Sequence, residues 1–505
     1  MLFNSFEFIF LFFPLAFIGF LLISHSSWAM RYQLPLGWLV LASLIFYGWS
    51  NPANLKILIF SIVFNYAIGR GLSSEQLKQP TKKLLLTFGI FINLAALAYF
   101  KYANFIAENA SLLLKTDFNV GKIALPLGIS FFTFQQIAYL VDTYQGKTKE
   151  DDPIKYSLFA SFFPNLLAGP IVRHKEVIPQ YENREIYRFS SQQLAVGLTI
   201  FFMGMFKKVI FADGVSAYVS PVFNEALAGE IISFTDAWGG AIAYTLQLYF
   251  DFSGYSDMAI GIAYLFGIRL PLNFNSPYKS ISITDFWRRW HITLSNFLRD
   301  YLYIPMGGSR RGEFRRCLNL LLTMLLGGLW HGAGWTFVLW GGLHGAYLVT
   351  NHQWRRFRQH LGHDLKQDRW LLRGLGWGLT FVAVVVSWVF FRAGSMQAAL
   401  SVLQGMAGLT LGADPSNILE LELTDLVWLA LLLAIIWFAP NVQEWMGTYS
   451  PALHFEPKPS DKWSDRLLKK LQWQPSPTWA LAAAVITVFA FLGLARVSEF
   501  LYFEF

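Results

Sequence analysis

LNLLLTMLLGGLWHGAGWTFVLWGGLHGAYLV, residues 318–349, decides what kind of chain this is, because it holds no Asp, Glu, Lys or Arg. A helix rises about 1.5 Å per residue and needs roughly 20 apolar residues to cross a bilayer. The stretch is therefore too long for one upright helix and too short for two full ones. Arg288, Arg289, Arg299, Arg310, Arg311, Arg315 and Arg316 precede it, and Arg355, Arg356, Arg358, Lys366, Arg369 and Arg373 follow. Basic flanks favour the cytoplasm, so the chain is expected to enter and leave on one side. That makes 318–349 a re-entrant hairpin, turning at Gly327, Gly328, Gly332 and Gly334 part-way into the bilayer. Non-helical backbone at such depth persists only where protein or a water-filled cavity surrounds it.

The rest of the chain agrees with a membrane setting. Of 505 residues 54% are apolar and only 14% charged, against about 25% charged in an average soluble domain. The apolar residues come in runs at 8–24, 35–50, 55–70, 83–100, 123–142, 193–212, 238–267, 374–393, 424–440 and 478–498. The sequence thus predicts an all-α polytopic membrane protein of about ten spans, forming one domain over residues 1–505. A further apolar stretch, 156–171, is broken by Pro164, Gly169 and Pro170. The net charge of +8 fits cytoplasmic loops facing anionic lipid. It gives no basic face of the kind nucleic acid requires.

Loop charge sets an expected orientation. Loops 70–83 and 456–470 are basic and should be cytoplasmic. The 401–425 loop, with Asp414, Glu420, Glu422 and Asp425, should be outside, as should both termini. The N-terminus has Glu7 as its first charge and Arg31 as its first cation, which reads as an uncleaved first span. Lys207 and Lys208 resist this scheme, since they fall near the expected outer end of a span, where snorkelling is one remedy.

Residues 270–317 differ from their surroundings, being basic yet rich in Trp, Tyr, Phe and Leu. Ile283 to Tyr303 reads as one amphipathic helix, with Phe286, Trp290, Leu294, Phe297 and Tyr301 on its apolar face. Such a helix should lie in the cytoplasmic interface or cap the mouth of a cavity.

Ionisable groups at membrane depth are costly and mark function. His331, framed by Gly327-Gly328 and Gly332-Ala333-Gly334, is open to close approach by backbone, water or substrate. Its imidazole suits proton transfer near neutrality, although a buried structural histidine would look the same in sequence. His291, after Phe286-Trp287-Arg288-Arg289-Trp290, is either an interfacial histidine or a second functional one, and His344 reads as packing. Asp251 and Asp257, in Tyr249-Phe250-Asp251-Phe252-Ser253-Gly254-Tyr255-Ser256-Asp257, need cationic partners; each either pairs structurally with an arginine or orients a catalytic imidazole. No His-x-x-x-His or Glu-x-x-His spacing falls within a span, so a metal site is not expected. Cys317, the only cysteine, rules out an internal disulfide and reads as packing. Gly-x-Ser-x-Gly and Walker A motifs are absent, which argues against a serine hydrolase and a P-loop transporter.

The blocks Phe286-Trp287-Arg288-Arg289-Trp290-His291-Ile292-Thr293-Leu294-Ser295, Leu298-Arg299-Asp300-Tyr301-Leu302-Tyr303-Ile304-Pro305 and Gly328-Leu329-Trp330-His331-Gly332 resemble the membrane-bound O-acyltransferases (MBOAT). Within that family they are most similar to the bacterial alginate O-acetylase group, and the likeness runs at least from Phe8 to Arg392. It implies a ring of transmembrane helices with re-entrant segments around a central tunnel. It also implies acetyl transfer from cytoplasmic acetyl-CoA, across the inner membrane, towards hydroxyls of an exported polysaccharide such as alginate. On this resemblance His331 matches the essential histidine and His291 the second motif histidine, no cofactor is bound, and a periplasmic esterase-like partner protein completes transfer. Coenzyme A is polyanionic, so Arg289 and Arg299 are the expected donor-binding residues, with Asp251, Asp257 and Asp300 in support. Cellulose, peptidoglycan and teichoic acid are alternative acceptors. A flippase for lipid-linked saccharide is the rival of another class, and a structural scaffold for polysaccharide export is a third.

Overall fold

The computed structural model describes residues 1–26, 33–116, 118, 120–121, 123–364, 370–410, 418–419, 421–455, 472–494 and 501. Lys366, Arg369, Asp414, Glu420 and the 456–470 loop, all used to orient the chain, lie outside the described residues. Helices account for the regular structure, and no β-strand occurs among the described residues. Helices Pro52–Ser73, Gln79–Leu114, Ser191–Ala228 and Trp370–Arg392 are long and apolar enough to cross a membrane. Phe8–Ser24, Leu34–Gly48, Leu423–Phe438 and Pro477–Gly493 are apolar but shorter. Leu11, Leu15, Ile18 and Leu22 on the first of these, and Leu375 and Leu379 on Trp370–Arg392, are exposed, as lipid-facing side chains should be.

The chain divides into two compact units. The first comprises Met1–Met205, Tyr255–Leu272 and Val442–Ala495. Its core is aromatic: Phe8 and Phe12 pack on Phe46 and Phe163. Asn65 and Asn93 exchange side-chain hydrogen bonds at 3.2 and 2.7 Å between helices Pro52–Ser73 and Gln79–Leu114. Buried amides paired in this way tie two apolar helices together. Asp257 belongs here, accepting a hydrogen bond from Gln443 Nε2 at 3.2 Å.

The second unit comprises Phe206–Gly254, Asn273–Asn441 and Arg496–Phe505. It contains the stretch that opened the reading, and there the expected outline changes. Residues 318–349 belong to two complete helices, Glu313–His331 and Trp335–His360. Each recruits polar residues from its flank. The turn is confined to Gly332–Gly334, while Gly327 and Gly328 lie within the first helix. Gly328 and Gly341 let the two backbones touch: a Cβ on Gly328 would stand 2.2 Å from the Phe337 carbonyl oxygen, and one on Gly341 2.2 Å from that of Met324. Both approaches are far inside van der Waals contact, so only glycine fits.

The single amphipathic helix expected over Ile283 to Tyr303 is broken. Ile283–Trp287 and Ile292–Leu298 are separate short helices, followed by a π-helical turn, Arg299–Tyr303. The break comes at His291, whose φ of +41° is left-handed. Phe286, Trp290, Leu294 and Phe297 are nevertheless buried. The apolar stripe was a true signal of burial and a false one of continuity.

Lys207 and Lys208 also find a physical account. They open a π-helical turn, Lys207–Ala212, inside the long helix Ser191–Ala228. Lys208 does not snorkel. It is buried, with its ammonium 2.8 Å from Asp213 and 2.6 Å from Asp251. Asp251 therefore has the cationic partner its depth demands, a lysine where an arginine was expected.

Candidate active site

His331 is the last residue of helix Glu313–His331 and is 4% exposed. The glycines after it end the helix in extended backbone, and a Cβ at Gly332 would strike the Phe337 ring at 2.1 Å. The imidazole is walled by aromatic rings. Trp330 lies 4.9 Å away between centroids, Trp340 5.0 Å and Phe391 5.1 Å, all edge-on. Edge-to-face packing at this separation is the favoured arrangement and holds the ring in place.

His291, forty positions earlier in the chain, comes to 6.4 Å from His331 between ring centroids. It is completely buried. Its left-handed backbone, which costs about 1–2 kcal/mol for a residue with a Cβ, is held by Asn273. The Asn273 side-chain oxygen meets His291 Nδ1 at 3.1 Å and accepts from the Thr293 amide and hydroxyl at 3.3 and 2.9 Å. The Asn273 carbonyl accepts from the Ile292 amide at 2.9 Å. Because the Asn273 oxygen is an acceptor only, the facing His291 Nδ1 carries the proton and Nε2 presents a lone pair. Asn273 was missed in the sequence, where its one signal is an amide between Leu272 and Phe274. Replacing Asn273 with Ala should lower thermal stability in detergent by about 1–3 kcal/mol, since it strands three buried donors, and reduce transfer at least as strongly. A variant with wild-type melting and turnover would show that His291 needs no such clamp.

His344 has the packing role its position indicated. Trp287 Nε1–H donates to its Nδ1 at 3.2 Å, and its Nε2–H donates to Ser387 Oγ at 2.9 Å. Ser387 in turn donates to the Val384 carbonyl at 2.7 Å. Both ring nitrogens are thus committed to hydrogen bonds within this buried cluster.

The two arginines expected to bind the donor each have a carboxylate partner. Arg289 is tied to Asp285 at 3.0 Å and to the Asn275 carbonyl at 3.3 Å. Arg299 forks onto Asp300 at 2.6 and 3.0 Å and is more than half exposed. A cavity of about 420 Å³ opens instead among Arg288, Arg355 and Arg358, with Asn351, Trp354 and Thr380 also on its wall. Its one carboxylate, Asp285, is the group that engages Arg289. Such a cavity suits an anion, above all a phosphate. No group of three or more metal-binding side chains converges among the described residues.

An imidazole walled by aromatic rings beside a second histidine fits acyl transfer, where water must be kept from a thioester. The family comparison agrees. Residues 152–393 match the model of MBOAT, the membrane-bound O-acyltransferase family. The chain is 43% identical over 434 residues to the peptidoglycan O-acetyltransferase of Helicobacter pylori, covering 81% of this chain and 80% of that protein. It is 38% identical to a "probable alginate O-acetylase" of Azotobacter vinelandii over the full length of both. A protein of the same description from Pseudomonas aeruginosa is 42% identical over 80% of this chain and 75% of its own length. The chain belongs to the membrane-bound O-acyltransferase family, and it is a membrane-embedded O-acyltransferase.

Proposed function

We propose that this chain is an O-acetyltransferase that takes acetyl from cytoplasmic acetyl-CoA and passes it towards hydroxyls of an exported polysaccharide. His331 is the general base. The acceptor oxygen attacks the thioester carbonyl while His331 takes its proton, the carbon–sulfur bond breaks, and the proton goes on to the departing thiolate. His291, with Nε2 turned as an acceptor, orients the hydroxyl. What carries the reading is the meeting of His291 and His331, buried and 6.4 Å apart between ring centroids, in a chain that belongs to an acyltransferase family.

The finer picture follows from the same reading. About ten helices form a ring in the bacterial inner membrane, both termini outside, and the hairpin of Glu313–His331 and Trp335–His360 is re-entrant and borders a tunnel. Residues 270–317 face the cytoplasm. Alginate or a similar exopolysaccharide is the acceptor class nearest to the alginate O-acetylase relatives, and a periplasmic partner protein completes transfer to the polymer. The test supplies labelled acetyl-CoA to inverted membrane vesicles that carry the chain and its polysaccharide system. Label should reach the polymer in ester linkage, and arrival only as free acetate would remove the transfer claim.

Donor binding falls to the cavity that Arg288, Arg355 and Arg358 line together, beside the Arg289 and Arg299 first expected to bind it. Replacing Arg355 and Arg358 together with Ala should raise the KM for acetyl-CoA about 10- to 100-fold, as charge-assisted bonds of about 1.5–3 kcal/mol are lost. Turnover at saturation should change little, since these contacts serve ground state and transition state alike. R299A should leave KM unchanged. A raised KM in R299A with a normal one in the double variant would return the donor to the original site.

A further inference from the structure

The aromatic rings packed around His331 bear on the size of the acyl group. A base works within about 2.6–3.2 Å of the proton it removes, and the reacting oxygen and carbonyl carbon must come within roughly 3–3.5 Å of each other. Whatever is bonded to that carbonyl therefore lies within a few ångströms of the imidazole. On this side of the ring it meets Trp330, Trp340 and Phe391, each in contact with the imidazole.

These rings have little freedom to retreat. Trp340 is 1% exposed and stacked on Trp388 at 5.6 Å and 18°. His344 presses its edge at 4.8 Å and is itself fixed through both nitrogens. Phe391 is 2% exposed and abuts Phe337, Trp340 and Trp388 at 5.1, 5.2 and 5.4 Å. In an interior packed as densely as a crystal, displacing one such ring means displacing its neighbours.

We propose that Phe391, Trp340 and Trp330 form a rigid gauge of acyl length that admits an acetyl group at His331 and excludes longer chains. The inference rests on the reading of His331 as the base. It adds the residues that would hold that reading to acetyl and no longer acyl group. Each extra methylene in an apolar pocket changes discrimination by about 10- to 200-fold, so butyryl, with two more, should be excluded strongly.

The experiment gives inverted vesicles from cells making the polymer equal acetyl-CoA or butyryl-CoA and counts ester-linked acyl groups on the polymer by mass spectrometry. Wild type should favour acetyl by at least about 100-fold, in line with that per-methylene range. Phe391→Ala should raise the butyryl-to-acetyl ratio by about 10-fold or more, and Phe391→Leu, the gentler change if the first fails to insert, should shift it the same way. A ratio unmoved in both variants, or loss of both acyl groups at normal protein level, overturns the gauge. H331A separates the two layers: if it abolishes both transfers while the Phe391 variants leave the ratio fixed, the catalytic reading stands and the gauge alone fails. If H331A transfers acetyl normally, the base assignment fails first.

Discussion

Replacing His331 with Ala should lower acyl transfer by about 10²–10⁴-fold, the usual share of a positioned acid–base group, with protein level and membrane insertion near normal. The expected loss is large because the neighbouring imidazoles are held in hydrogen bonds of their own. His291 is directed by Asn273 and completely buried, and His344 has both nitrogens engaged. His331→Gln should be no better, since it keeps a hydrogen bond but supplies no base. The loss should appear in kcat more than in KM, because in the proposed arrangement the donor's phosphates bind among the arginines and not at the imidazole. His291→Ala should be milder per site yet carry a stability cost, because it also empties a ring packed on Phe252 at 4.9 Å. Substantial polymer acylation by H331A would remove the base and reopen transport of lipid-linked saccharide as the function.

Much of this centre was legible before any coordinates. Glycines around a lone histidine in an uncharged run pointed to His331, and the block ending in His291 pointed to the second imidazole; the two do meet. What could not be read is what depends on distant partners. The break at His291 is imposed by Asn273, eighteen residues away, through side-chain bonds that leave no periodicity in the sequence. For that reason the apolar spacing of Phe286, Trp290, Leu294 and Phe297 read as one helix. The arginine cavity draws on three separate segments, around Arg288, Arg355 and Thr380, so counting arginines in one segment could not show it, nor that Arg289 and Arg299 pair with Asp285 and Asp300. Lys208 looked misplaced because charge was judged against the bilayer alone. Its counter-ions, Asp213 and Asp251, lie five and forty-three positions later.

That ion cluster yields the second large effect. The Lys208, Asp213 and Asp251 side chains are 4%, 6% and 1% exposed, and Asp251 also accepts the Leu501 amide at 3.1 Å. Burying three charges is costly, and attraction between them offsets that cost only while the set is complete. Lys208→Ala leaves two carboxylates without the ammonium between them. Removing one partner of a buried pair typically costs about 3–5 kcal/mol, a large share of a stability of about 5–15 kcal/mol. K208A should therefore accumulate poorly and aggregate in detergent. Asp251→Asn should cost less, because Lys208 keeps Asp213 and the amide oxygen can still accept from Leu501. Combining Lys208→Met with Asp213→Asn and Asp251→Asn should recover much of what K208A loses, since no charge is left stranded. Size-exclusion profiles and melting midpoints in one detergent would rank the variants. A K208A protein as stable as wild type would mean that these charges reach water by a route the buried geometry does not provide. A triple variant no better than K208A would instead assign the loss to packing of the lysine stem against the π-helical turn, and place the cluster's value in shape.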